Sequence, residues 1–151
     1  MVWSDILGII LAVVFGAAIG IERELRGKAA GLRTNVLICL GAAIFTLLSR
    51  YMAAGSSDSL TRIAAGVVTG VGFLGAGAII QDRGGIYGMT TAATIWLVAS
   101  IGMACGAGLY LLAALGTLIA MIILIGLGEL EGPLGRYWKK HKSKELSDDQ
   151  D

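Results

Sequence analysis

Five apolar stretches, each close to the length needed to cross a bilayer, divide this chain at residues 4–21, 35–52, 63–80, 89–105 and 108–128. A helix rising 1.5 Å per residue needs about 20 mostly apolar residues to span about 30 Å of hydrocarbon. Charged residues collect in the gaps between the stretches, which a soluble domain has no reason to do. Only 15% of the 151 residues are charged and 56% are hydrophobic, against about 25% charged in soluble chains. The expected fold is therefore all-α: a polytopic membrane protein with five transmembrane helices. Residues 1–128 form the membrane domain, and residues 129–151 form a cytoplasmic basic-aromatic tail with an acidic, disordered end. The first stretch is too long for a removable signal peptide and lacks its charged start and cleavage site.

Charge placement sets the expected orientation. Of the twelve Lys and Arg residues, ten fall in the first loop (Arg23, Arg26, Lys28, Arg33), the third loop (Arg83) and the tail (Arg136, Lys139, Lys140, Lys142, Lys144). Only Arg50 and Arg62 flank the opposite side. Positive loops stay in the cytoplasm, so the N-terminus is expected outside and the C-terminus inside. Trp3, Tyr137 and Trp138 stand where amphipathic rings prefer the headgroups. Trp96 lies further inside the fourth stretch, where its indole N–H calls for a partner on another helix. Cys39 and Cys105 are expected at opposite depths, too far apart for a disulfide, and read as small apolar packing residues.

Sliding the chain by 57 residues matches the first hairpin to the second. Nine of thirty positions are identical, among them Gly20/Gly77, Arg26/Arg83, Gly31/Gly88 and Thr34/Thr91. This suggests a parallel two-hairpin repeat plus a fifth helix, whose Leu/Ile-rich sequence suits a lipid-facing position. The third stretch is dense in glycine: Gly66, Gly70, Gly72, Gly75 and Gly77. The small-xxx-small pair Gly66/Gly70 repeats at Gly16/Gly20 in the first stretch. Such faces let helices approach closely, either within one subunit or across a homodimer.

Polar chemistry gathers at the cytoplasmic edge. Thr34 and Thr91 are placed as helix N-caps, next to Thr90, so two helix N-termini would offer free N–H groups there. Joined by Arg23, Arg26, Arg33 and Arg83, they favour an anion. Glu22, Glu24 and Asp82 instead offer carboxylates, and Glu22 with Asp82 could hold Mg²⁺, which takes one or two carboxylates and keeps several waters. The rival reading is a self-neutralising set of salt bridges. No charged residue lies at mid-membrane, and Thr46, Thr69, Thr94 and Ser100 can satisfy their hydroxyls on the preceding turn. The tail segment 136–144, with the single histidine His141, suits anionic lipid. No cofactor, nucleic-acid surface, catalytic triad or phosphate-binding loop is indicated, and no enzyme is expected.

Taken together, "GIERE" (20–24), "AGLRT" (30–34), "GVGFLGAGAII" (70–80), "GMTTAATIW" (88–96) and "GAGLY" (106–110) resemble the MgtC/SapB family of bacterial inner-membrane proteins. The resemblance covers about residues 8–126 and implies a five-span membrane domain. Asn35 and Met89 stand where family members often have His and Leu, so any role of that His does not carry over. Long members add a cytoplasmic ACT-like domain after the last span, and this chain resembles the short, membrane-only type. The resemblance implies a role in adaptation to low Mg²⁺ and to acidic or host-like stress. It also implies modulation of membrane partners such as the F-type ATP synthase; on the residues, the glycine-rich face of the first or third stretch would form a homodimer that acts by helix contacts on a transporter or synthase. The alternative is an ion or small-solute conduit with a cytoplasmic mouth at Glu22, Arg33, Asp82 and Thr91.

Overall fold

The computed structural model describes residues 2–52, 57–82 and 85–128. The chain forms α1 (Trp3–Leu25), α2 (Leu32–Met52), α3 (Ser57–Gly77), the short strands β1 (Ile80–Asp82) and β2 (Gly85–Tyr87), and α4 (Met89–Gly106). A fifth helix, α5 (Tyr110–Gly128), follows. The all-helical class holds, with one addition: the third loop is an antiparallel two-stranded hairpin in which Ile80 faces Tyr87 and Asp82 faces Gly85. α1, α2, α4 and α5 are each long and apolar enough to cross a membrane, whereas α3 contributes a shorter apolar run, Thr61–Gly77. The third stretch thus leaves the helix before Ile80. Its last residues turn through Ala78 and Ile79 into β1, and Gly88 (φ 88°) then re-enters a helix as the N-cap of α4. A Cβ at Gly88 would meet the carbonyl of Ala78, so both the handedness and the crossing call for glycine.

The chain divides into a compact unit ending at Leu118 and a second unit starting at Ile119, whose described residues 119–128 continue α5. In the first unit, α1, α2 and α4 pack through glycine. A Cβ on Gly16 would stand 2.9 Å from Cys39 Cβ, and one on Gly20 would stand 2.8 Å from Leu32 Cα. On α1's other packed face, a Cβ on Gly8 would stand 2.6 Å from the carbonyl oxygen of Cys105. Gly102 and Gly106 of α4 lie directly on the backbone of Cys39 and Ala43 of α2. The α1 pair Gly16/Gly20 is therefore consumed inside one chain, and a dimer through it would have to displace α2. Closeness of this kind gains dispersion contacts and Cα–H···O bonds that side chains would block.

The same contacts correct the expected separation of the cysteines. α2 and α4 run parallel with Gly102 level with Cys39, so Cys105 lies one turn beyond Cys39 rather than most of a membrane away. Both thiols are free and buried. The sequence placed each cysteine by its distance from its own helix end. The axial offset of α4 against α2 is a tertiary quantity that such counting omits.

α3 behaves differently. Gly66, Gly70, Gly72 and Gly77 would meet nothing within 4 Å if they carried a Cβ, and Gly75 meets only Ala92 at 3.6 Å. The glycine-dense helix is not the tightly packed one. Val67 and Val71 join it to a small core with Ala30, Ala42, Ile95 and Ala99. Trp96, expected to find an indole partner, is 53% exposed and makes no hydrogen bond among the described residues. α5 exposes Leu111, Leu112, Leu115 and Leu118, as its composition predicts for a lipid-facing helix, and turns Ala113 inward. The basic-aromatic tail, including His141, lies outside the described residues.

Candidate functional site

At the end of the bundle that carries the hairpin, α1 stops in Glu22-Arg23-Glu24, α2 begins and α4 begins. Four of the residues there are buried although polar: Glu22, Arg23, Asn35 and Thr91, with exposures of 6%, 3%, 0% and 4%. Arg23 follows Ile19 on the α1 face turned to α4, and its Nη2 donates a 2.9 Å hydrogen bond to Thr91 Oγ1, which is itself buried. Glu22 Oε1 lies 2.6 Å from Arg26 Nε, a one-turn ion pair. Asn35 Nδ2 donates to the carbonyls of Ala30 and Gly31, at 2.7 and 2.8 Å, and locks the loop that enters α2. Glu24 Oε2 accepts the backbone N–H of Leu32 at 2.9 Å.

These bonds reassign several expected roles. Thr34 is exposed on the third residue of α2 and is not its N-cap. The Glu24 carboxylate, reaching across the loop, takes the first free N–H, where a negative group is favoured by the helix dipole. Thr91 is the third residue of α4, after the Gly88 cap, and its hydroxyl serves Arg23. Thr90 is exposed, and its carbonyl receives the Thr94 hydroxyl at 2.7 Å. Arg33 is exposed. Asp82 closes β1, where only its backbone is described, and Arg83 lies outside the described residues. The structure therefore brings Glu22, Arg23, Arg26 and Thr91 into place, adds Asn35, and does not assemble Arg33 with them.

Apart from Glu22 Oε1, which Arg26 pairs, three buried atoms of this cluster have no hydrogen-bond partner among the described residues: Glu22 Oε2, Arg23 Nε and Asn35 Oδ1. Buried polar atoms are nearly always satisfied, so this layer has capacity for water or a small polar ligand. Glu22 Oε2 and Asn35 Oδ1 are oxygens that Mg²⁺ accepts. The adjoining Arg23 and Arg26 guanidiniums oppose a bare divalent cation. No group of three or more His, Cys, Asp or Glu that could hold a metal occurs among the described residues.

A second polar cluster at the opposite end was not foreseen. Asp5, buried in the first turn of α1, accepts the Tyr51 hydroxyl of α2 and the backbone N–H of Val2. Arg50 Nη1 lies 3.6 Å from Asp5 Oδ1 and donates to the Gly106 carbonyl at 3.1 Å, capping the C-terminal end of α4. The available signal was an acid in the first turn of one apolar run and a base in the last turn of the next, which an antiparallel hairpin brings together. Tyr110 Oη donates to the Ser4 carbonyl nearby. Between the two clusters, the hydroxyls of Thr46, Thr94 and Ser100 are spent on carbonyls of their own helices at 2.7–2.8 Å, as expected of interior Ser and Thr.

Comparison with known proteins agrees with this architecture. YhiD of Escherichia coli, described as a putative magnesium transporter, is 48% identical over 128 residues, covering 79% of this chain and 58% of that protein. Protein MgtC of Salmonella typhimurium is 46% identical over 129 residues, covering 85% of this chain and 54% of that protein. The chain thus spans a little over half the length of these relatives. No solved structure matches it significantly. The sequence model of the MgtC family matches residues 9–132. With four helices long and apolar enough to cross a bilayer and a family match over most of its length, this chain is a membrane protein and belongs to the MgtC family.

Proposed function

We propose that this domain is a non-enzymatic modulator of other membrane proteins, serving adaptation to low Mg²⁺ or to acid and host-like stress. It would lie in the bacterial inner membrane with its arginine-rich end in the cytoplasm. The observation that carries this reading is that Glu22 and Thr91 of the candidate mouth are engaged by the chain's own arginines. Arg23 is buried against Thr91, and Glu22 is held by Arg26. A conduit needs polar groups facing a path, and intramembrane charges are where relays are normally found. Here the mid-membrane hydroxyls of α2 and α4 bond to their own backbones instead.

Magnesium transport is the second reading. It is favoured by the unmet Glu22 Oε2 and Asn35 Oδ1 at the membrane edge and by the description of the YhiD relative. Purified full chain in liposomes, loaded with a Mg²⁺-sensitive dye, separates the two. The modulator reading expects no saturable Mg²⁺ flux above empty liposomes. Saturable flux in the wild type that Glu22→Gln abolishes would overturn it in favour of transport.

A further inference from the structure

The largest cavity described lies between α2 and α3, about 790 Å³, and it belongs to neither polar cluster. Gly41 of α2 and Gly66 and Gly70 of α3 line it, and none of the three would touch anything within 4 Å if it carried a Cβ. Its walls are hydrocarbon from Phe45 to Leu74, with one charged residue, Arg62, at its end near the start of α3. Arg62 makes no hydrogen bond or ion pair among the described residues. Its place on the lining gives the groove a polarity: a cation at one end and bare hydrocarbon for the rest.

The length is informative. From Arg62 to Leu74 is twelve residues, about 18 Å of helix, while one leaflet of a bilayer is about 15 Å of hydrocarbon. We infer that this groove is the seat of one anionic phospholipid. Its phosphate would meet the Arg62 guanidinium, and an acyl chain would lie along Gly66, Gly70 and Gly41. Glycines leave a furrow deep enough for a methylene chain, and guanidinium pairs with phosphate through a planar fork. The floor of the furrow includes Val67 and Val71, which belong to the core, so the occupant would rest on fixed side chains.

A second copy of the chain fits this place less well. Two copies in one membrane share orientation, so a two-fold contact through the Gly66/Gly70 face sets one Arg62 beside the other at the same depth. Like charges repel there, and no acid occurs among the described residues that line the groove. An anionic lipid supplies the missing charge.

The test uses the full chain, purified in mild detergent with phosphatidylglycerol and phosphatidylcholine at equal amounts, and read by native mass spectrometry. One retained phosphatidylglycerol per chain is expected, favoured over phosphatidylcholine. Arg62→Gln should reduce that preference about fivefold, the weight of one basic residue against anionic lipid. Arg62→Lys should keep most of it. Gly66→Leu puts a side chain into the furrow at a position where a Cβ meets nothing within 4 Å, and should lower retention of both lipids, whereas Gly72→Leu, off the lining, should not. Far-UV circular dichroism and elution volume check that each variant is folded. Unchanged retention in both Arg62→Gln and Gly66→Leu would overturn the assignment. So would wild type that retains no lipid, or a Gly66→Leu variant that loses a dimer while its lipid count stays the same.

Discussion

Arg23 shows how much one buried side chain can decide. A guanidinium at the edge of hydrocarbon is expensive unless bonded, and its partner Thr91 is 68 positions away in the chain. A hydrogen bond to a charged group is worth about 1.5–3 kcal/mol. Thr91→Val keeps the volume and deletes the acceptor, so it should lower unfolding stability by about that amount, read as a reduced melting temperature in detergent. Thr91→Ser should recover most of the loss. A Val variant as stable as wild type would show that Arg23 finds its bonds elsewhere. Asn35 works similarly on its own loop. The amide holds the carbonyls of Ala30 and Gly31 without a titrating group.

At the scale of helices, glycine has two opposite meanings in this chain. Gly102 lies on the backbone of α2, whereas Gly66 borders open space. Gly102→Ala should therefore be severely destabilising, because a backbone carbonyl must move and overpacking costs about 1–3 kcal/mol or more. Gly66→Ala should be neutral or stabilising by about 0.5–1 kcal/mol through helix propensity alone. Comparing the thermal stability of the two purified variants checks this, and equal losses would contradict the packing described. Sequence periodicity cannot separate these cases. Both helices carry glycines four residues apart, Gly102/Gly106 and Gly66/Gly70, and which face meets a neighbour depends on helix rotation and axial offset. Apolar run length needs no partner, so the helices themselves were legible. The exception is the end of α3, where a continuing apolar sequence, Ile79 and Ile80, turns into a strand that local hydropathy reads as more helix.

For the whole molecule, the expected orientation follows from charge, and the two polar clusters were legible to different degrees. The hairpin-end cluster was visible because Glu22, Arg23 and Arg26 stand together in sequence. The Asp5–Arg50–Tyr51 cluster was not, since its members are separated by a complete helical hairpin and each looks like an isolated edge residue. Orientation has a direct measurement. Single cysteines at Lys28 and at Arg62, in a background with Cys39 and Cys105 replaced by alanine, should label from opposite faces of intact cells. The Arg62 position should be the one reached by a membrane-impermeant reagent added outside. Labelling of both from one face would refute the topology, and with it the cytoplasmic placement of the Glu22–Arg23 layer.

The arginines also imply something about motion. Arg23 fastens α1 to α4 at one rim, and Arg50 ties α2 to both at the other, so this trio resembles a door frame bolted at sill and lintel. α3 shares in neither of these arginine contacts and meets the frame through Val67 and Val71, packed with Ala30, Ala42, Ile95 and Ala99. A rearrangement that leaves both arginine contacts in place is therefore one of α3 against α1, α2 and α4.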